Sequence, residues 1–351
     1  MQRTIILYES RYGTTEVIAK NLSLILGPSK YCKIEDFKKS DKDFEFFVIG
    51  SPVYNEKIQL KTLKFLEDNI EWIKDKRIAV FCTCISTKKE YEYINKLLGI
   101  LDNSVVYFRA LGGIIQLDKL NSEDYRAIEL FCNKVTMPFV DINMYDINKV
   151  IEFGIDVKNI RDEFIKRVPG TQLLKGIEEF LNAHNTCTLC TASSIGVRGT
   201  PIEYSYKDGY IYIITEGGEK FANILLNNKV SISIYDNYQS MMKLGGMQIT
   251  GEASIIYSNT DEYKKILYLK EINPDSIGDF SVNMNIIKIK MRKVEFLYSK
   301  FKNMGYDIKQ IYLFNWFFWI TLNKGHEILL FVTFIFAILN SLCEIYIAIF
   351  T

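Results

Sequence analysis

Two stretches of this 351-residue chain carry residue types and spacings suited to gripping a phosphate. The first is Ser10-Arg11-Tyr12-Gly13-Thr14-Thr15, between the apolar run Ile5-Ile6-Leu7-Tyr8 and Glu16-Val17-Ile18-Ala19-Lys20-Asn21-Leu22. Val17, Ile18, Leu22, Ile25 and Leu26 fall on one side of a 3.6-period wheel, so the order is strand, hydroxyl-rich turn, helix. Such a turn offers backbone N–H groups, a helix N-terminus and several hydroxyls to one anion. Taken alone it also reads as a well-capped βα turn, because Ser and Thr are ordinary N-caps. The second stretch pairs Arg198-Gly199-Thr200-Pro201 with Thr215-Glu216-Gly217-Gly218-Glu219-Lys220. An Arg fork, a Lys point charge, hydroxyls and glycine-permitted backbone approach make another phosphate cradle. Its other reading is two exposed polar hairpin ends.

The first loop needs a scaffold, and the sequence supplies one. Strand-like runs fall at residues 4–8, 30–34, 45–49, 77–83 and 105–110, with helical patterns at 15–26, 59–69, 88–98 and 122–135. Alternation with mostly apolar strands predicts a parallel sheet covered on both faces. Five strands fit a doubly wound α/β sheet, whose ligand sits beyond the carboxyl ends of the strands. That places Gly50-Ser51-Pro52-Val53-Tyr54, Thr83-Cys84-Ile85-Ser86 and Leu111-Gly112-Gly113 beside the first loop. Small residues and one aromatic suit the close approach and stacking that a planar aromatic ligand needs. Tyr54 also reads as a surface tyrosine in a turn. Cys82 and Cys84, two apart in a strand, share one face of a buried sheet, which favours core packing for Cys82.

With these loops in register, the first 160 or so residues resemble the flavodoxin-domain family, in its branch that includes quinone-linked protoporphyrinogen oxidases. The resemblance implies that Ser10, Arg11, Gly13, Thr14 and Thr15 hold the phosphate of FMN. It implies that Ser51, Pro52, Val53 and Tyr54, with Thr83, Cys84, Ile85 and Ser86, flank the isoalloxazine ring. Tyr12 departs from the family's pattern, since many flavodoxins have Ser or Thr there and the tyrosine hydroxyl sits too far from the backbone to replace it.

Residues 141–166 read as irregular and charged, and Val168-Pro169-Gly170 punctuates the chain. A helix is expected at 171–183. The period then changes, with strands expected at 187–192, 202–206, 210–215, 230–235, 248–257 and 286–297 and a helix at 221–226. Short spacing, alternation and the Asp208-Gly209 hairpin signal predict an antiparallel barrel. The order and spacing of residues 198–204, 208–223, 230–233 and 248–251 resemble the FMN-binding split barrel of the pyridoxamine 5'-phosphate oxidase superfamily. That resemblance implies a homodimer with FMN at the subunit interface. Arg198, Thr200, Thr215 and Lys220 would contact phosphate or ribityl, with Gln248 nearby from a neighbouring strand. The C-terminal Arg- and His-containing signature of the true oxidases is missing, which argues against a vitamin B6 substrate.

Composition narrows the classes. Lys and Arg total 43 against 42 Asp and Glu, so nothing argues for a nucleic-acid partner. Seven scattered cysteines suit a reducing cytoplasm better than a disulfide framework. Two histidines leave little material for a His-rich metal site or a Ser-His-Asp triad, and no metal site is expected. Cys187-Thr188-Leu189-Cys190 lacks a second pair, and in a strand its two thiols face opposite sides. No signal peptide is read at the N-terminus. Residues 328–350 are nearly all apolar, long enough to cross a bilayer, with Lys residues before the run and none after it. This is a candidate anchor holding both domains at the cytoplasmic face. Its other readings are an irregular C-terminal helix and translated sequence unrelated to the fold.

The expectation is a flavodoxin-like domain at 1–166, a split barrel at 167–312 and a hydrophobic tail at 313–351. The function expected is an FMN-dependent oxidoreductase or electron-transfer flavoprotein, acting on a small molecule or redox partner. A non-catalytic flavin-binding or redox-sensing module, or a membrane-tethered carrier to a quinone or partner protein, are the alternatives.

Overall fold

A computed structural model describes residues 3–240, 242–258, 260–274 and 282–314. The chain divides into two compact units, Met1–Ile165 and Lys166–Thr351.

The strands of the first unit are β1 (Thr4–Tyr8), β2 (Ser29–Lys33), β3 (Phe46–Tyr54), β4 (Lys57–Ile58), β5 (Arg77–Cys84), β6 (Val105–Gly112), β7 (Ile114–Ile115) and β8 (Ile142–Asn143). Its helices are α1 (Thr14–Ile25), α2 (Leu60–Asp68), α3 (Ile70–Ile73), α4 (Glu90–Leu101), α5 (Ser122–Lys134) and α6 (Ile147–Glu163). The main sheet runs β2-β1-β3-β5-β6, all parallel. This is the doubly wound sheet expected of a flavodoxin-like fold. Alternation along each strand builds two cores. Ile5, Leu7, Phe47, Ile49, Ile78 and Val80 pack on one face with Leu63, Leu66, Ile94 and Leu97. Ile6, Phe46, Val48, Ala79 and Phe81 pack on the other with Ile18, Leu22, Phe153 and Val157.

The second unit holds α7 (Gly170–Ala183), β9 (Thr186–Ser193), β10 (Gly196–Glu203), β11 (Ser205–Lys207), β12 (Tyr210–Thr215), α8 (Glu219–Leu226), β13 (Lys229–Tyr235), β14 (Gly245–Ile256), α9 (Asp261–Leu269), β15 (Asn285–Tyr298), α10 (Ser299–Asn303) and β16 (Lys309–Leu313). The strands form an antiparallel half-barrel sheet, β10-β9-β13-β14-β15-β12-β11, with β16 added to β15. Alternate inward residues such as Leu189, Ile211, Ile213, Ile232, Ile249 and Ile289 fill the core with Ile177 of α7.

Four expectations are corrected. The irregular stretch at 141–166 contains the 17-residue α6. Its buried stripe of Val150, Phe153, Gly154 and Val157 is narrow, and the exposed Ile147, Ile151 and Ile155 blur the period. Arg198-Gly199-Thr200-Pro201 lies within β10 rather than at a hairpin end. Among the described residues β10 pairs only with β9, an edge position that accommodates Pro201. The strand expected at 202–206 is split at Tyr204, which is buried and donates its hydroxyl to the Leu181 carbonyl at 2.7 Å. α9 and β16 were not expected. The apolar run at 328–350 lies outside the described residues. Among the described residues no helix is long and apolar enough to cross a membrane.

One buried ion pair makes the first unit sensitive to acid. Asp41 is 4% exposed, and its carboxylate accepts from Lys30 Nζ at 2.7 and 2.8 Å and from the Lys38 N–H at 3.0 Å. Burial pushes its pKa up, but the lysine and the backbone donor outweigh burial and hold it below the usual carboxylate range. A folded pKa below the unfolded value of about 3.9 contributes stability that is fully present above the unfolded value and is lost as pH falls from there through the folded pKa. We predict that Asp41→Asn flattens the fall in urea midpoint between about pH 5 and pH 3. An acid limb identical to the wild type's contradicts this role.

Candidate functional site

The carboxyl ends of the parallel strands converge on a cavity of about 380 Å³. Ser10, Thr14 and Thr15 enter it after β1, Pro52, Val53 and Tyr54 at the end of β3, Thr83, Cys84, Ile85 and Ser86 at the end of β5, and Gly113 after β6.

The first loop is set by glycine and hydroxyl chemistry. Gly13 has φ +93°, a left-handed conformation that favours glycine, and stands as N-cap of α1 without any side-chain cap. The Gly13 N–H instead donates to Ser10 Oγ at 3.1 Å. The open first turn of α1 therefore presents N–H groups that helix geometry leaves unclaimed. Thr15 and Thr83 share a buried hydroxyl contact of 2.9 Å, which fixes the loop to the end of β5. Thr14 Oγ1 accepts from the Ile114 N–H at 3.3 Å. Gly13 also lines a smaller neighbouring cavity of about 220 Å³ with Tyr12, Thr14, Lys119 and Tyr145.

The aromatic wall is Tyr54. Arg11 lies over its ring at 5.2 Å, and Tyr12 meets it edge-on at 6.0 Å. Burial pushes the Tyr54 phenol up to about 12, so it stays neutral at physiological pH. Cys84 lines the cavity, and its thiol is held down chiefly by contact with that of Cys82, with burial opposing.

Two of the residues expected in the first unit's site, Ser51 and Arg11, do not line this cavity. Ser51 is fully buried, and its Oγ accepts from Thr62 Oγ1 at 3.2 Å and from the Gln59 N–H at 3.3 Å, so it caps the approach to α2 instead of lining the cavity. Arg11 turns to Asp124, with Nη1 2.6 Å from Oδ2. The opposite wall was absent from the sequence reading. Leu120 and then Asp124, Ala127, Ile128, Phe131 and Val135, on or just after α5, line the cavity. The pattern showed the helix, but no local signal says that a segment leaving β6 folds back over the strand ends.

In the second unit, Arg198, Thr200, Thr215 and Lys220 come from β10, β12 and α8. Arg198 pairs with Glu219 at the start of α8. Lys220 is 6% exposed, and its Nζ donates to the Glu216 and Gly217 carbonyls at 3.0 and 2.9 Å. Burial pushes its pKa down. Thr215 Oγ1 donates to the Glu216 carbonyl at 3.2 Å. Thr200 Oγ1 is buried with no hydrogen-bond partner among the described residues. A buried hydroxyl without a partner costs about 1–3 kcal/mol, so this atom suits a ligand's polar group.

Gln248 is not brought to this cluster. It pairs with Ser233, Ser233 with Thr188 and Thr188 with Pro201, three strands across the sheet, or about 14 Å. Its side chain is exposed on the outer face. Cys187 and Cys190 fall on opposite faces of β9, one buried and one half-buried. Among the described residues no three metal-ligating side chains gather.

Fold and loops together define a chain built from two domains of flavin-binding type. Residues 5–138 match the family model described as flavodoxin domain, and residues 173–298 match that described as pyridoxamine 5'-phosphate oxidase. The chain thus joins a flavodoxin-like domain to a pyridoxamine 5'-phosphate oxidase-like domain, both from flavin-binding families. No curated protein matches it. Among solved structures it is similar to the heme storage protein HutZ of Vibrio cholerae, at 12% identity over 34% of this chain and 89% of that one, TM-score 0.30. A putative pyridoxamine 5'-phosphate oxidase from Listeria innocua matches at 17% identity over 36% and 98%, TM-score 0.30. Campylobacter jejuni ChuZ matches at 16% identity over 46% and 70%, TM-score 0.32.

Proposed function

We propose that the chain is an FMN-dependent oxidoreductase or electron-transfer flavoprotein, with FMN in one or both units. The observation that carries this reading is the larger cavity at the open N-terminus of α1, walled by the ends of β3 and β5 and the loops after β1 and β6. The N–H groups of Thr14 and Thr15 and the Ser10 and Thr14 hydroxyls would hold the phosphate. Tyr54 and the residues 83–86 would flank the ring. FMN held there would supply two-electron hydride acceptance and single-electron release. The protein's part is to orient the ring, with the apolar Ile128 and Phe131 of α5 lining the cavity.

In the second unit the Thr200 hydroxyl, the α8 N-terminus and Arg198 would meet a phosphate. Gln248 lies too far across the sheet to join them, so a second copy of the chain would supply it.

The test is the flavin content of the purified chain. We expect FMN to be present, Thr14→Ala to weaken one site about tenfold, and Thr200→Val to weaken the other while leaving the stability of the flavin-free chain unchanged or raised. Absence of any bound flavin after reconstitution would sink the reading.

A further inference from the structure

Asp124 is a carboxylate placed at a phosphate loop. It lies in the first turn of α5, where Asn121 Oδ1 accepts from its N–H at 2.8 Å. An acid at that position is ordinary helix chemistry. Its side chain does something else. Asp124 Oδ2 accepts from Arg11 Nη1 at 2.6 Å and from the Tyr12 hydroxyl. Both partners belong to the loop of residues 10–15, more than a hundred residues earlier. The Tyr12 hydroxyl in turn accepts from the Asn121 N–H at 3.3 Å. Three bonds therefore fasten the start of α5 to the loop, and the same helix covers the cavity with Ala127, Ile128 and Phe131.

Charge gives the latch its meaning. Arg11 is the sole cation among residues 10–15. The Asp124 side chain is 17% exposed. Burial pushes its pKa up, yet the bonds from Tyr12 and Arg11 outweigh burial and keep it ionised. The other cations bordering the two cavities are engaged. Lys119 Nζ donates to Gln116 Oε1 at 2.7 Å, and Lys89 pairs with Glu56 at 3.4 Å and Glu92 at 3.8 Å. A phosphate entering the loop meets a like charge already bonded to the one guanidinium that would answer it.

Resting on the FMN reading of the first unit, we propose that Asp124 competes with the flavin phosphate for Arg11, so that filling the loop unlatches α5. It is a specificity residue that sets the preference of this site between phosphorylated and unphosphorylated flavin. Tyr12 then has a role suited to its length, because its hydroxyl reaches the lid and not the loop backbone.

The test uses the flavin-free full-length chain titrated with FMN and with riboflavin, followed by flavin fluorescence. Asp124→Asn should raise the affinity for FMN relative to riboflavin about tenfold, the scale of one charge-assisted bond. Asp124→Glu, which keeps the charge, should hold the wild-type ratio. These changes lie in the first unit, so a shifted ratio reports that unit. Hydrogen exchange of residues 122–134 in the wild type needs no variant, and it should speed up with FMN but not with riboflavin. A ratio unchanged or lowered in Asp124→Asn, or exchange indifferent to FMN, overturns the latch while flavin binding stands. Failure of every form to bind either flavin overturns the FMN reading and the latch with it.

Discussion

Replacing Gly112 by alanine is expected to destabilise the flavodoxin-like unit by about 3 kcal/mol or more and to empty its flavin site. A Cβ at this position would stand 1.6 Å from the Met144 carbonyl oxygen and 2.4 Å from its carbon. Backbone atoms cannot swing aside as the end of a flexible side chain can. The neighbouring bonds hold them in place, since the Gly113 N–H donates to the Cys84 carbonyl at 2.8 Å and the Met144 N–H to the Gly113 carbonyl at 2.9 Å. Relief of the clash must push residues 142–145 away and break the pairing of β7 with β8. Ile114, which bonds Thr14 and lines the cavity, belongs to that pair. Gly113→Ala is the control. Its Cβ would meet Cys84 backbone atoms at 3.5–3.6 Å, an ordinary contact, so its effect should stay below about 1 kcal/mol. Urea unfolding and flavin content of the two variants decide the matter, and equal stability in both contradicts the argument.

That contrast shows what a sequence conveys and what it withholds. Ala110-Leu111-Gly112-Gly113 is legible as the end of a strand with room for a ligand. Which glycine is indispensable depends on Met144, brought back from 32 residues later. The five parallel strands were legible because a sheet buried on both faces needs nearly continuous apolar runs, and Ile5-Ile6-Leu7 and Phe46-Phe47-Val48-Ile49 supply them. The antiparallel strands were legible by their alternation, as in Tyr210–Thr215. β10 was misread in part because Arg198, Gly199 and Pro201 look like turn residues, and only the pairing with β9 makes them a strand. The site divides in the same way. Gly13, Thr14, Thr15 and Tyr54 lie at or after strand ends and could be placed beside the cavities by rule. Ser51 could not be told from a ligand contact, because its claim on Thr62 is a matter of side-chain direction. Asp124 and the cover of α5 left no local trace, since an acid in the first turn of a helix is commonplace.

Arg161 carries the second large effect, in a stretch whose charge disguised a buried helix. It is 2% exposed, and its guanidinium donates from Nη1 to Thr4 Oγ1 at 3.0 Å and to the Leu26 carbonyl. Nε and Nη2 bond Asp162 at 3.1 and 3.0 Å. One side chain of α6 thus joins the start of β1 to the carboxyl end of α1, the two elements that aim the phosphate loop between them. Two opposing terms set the cost of removing it. Methionine fills most of the space and relieves the desolvation of a buried cation, which alone can be neutral or favourable. It leaves the fully buried Thr4 hydroxyl and the Leu26 carbonyl without this donor, at about 1–3 kcal/mol each. The net expectation is a loss of about 2 kcal/mol for Arg161→Met. Arg161→Ala adds a cavity and should lose about 4 kcal/mol. Lysine keeps the charge but not the fork, and cannot reach Thr4, Leu26 and Asp162 at once, so Arg161→Lys should resemble Met more than wild type. The midpoints of urea unfolding should fall in the order wild type, Met and Lys together, then Ala. A lysine variant as stable as the wild type would show that charge alone, and not the three-way bridge, holds these elements.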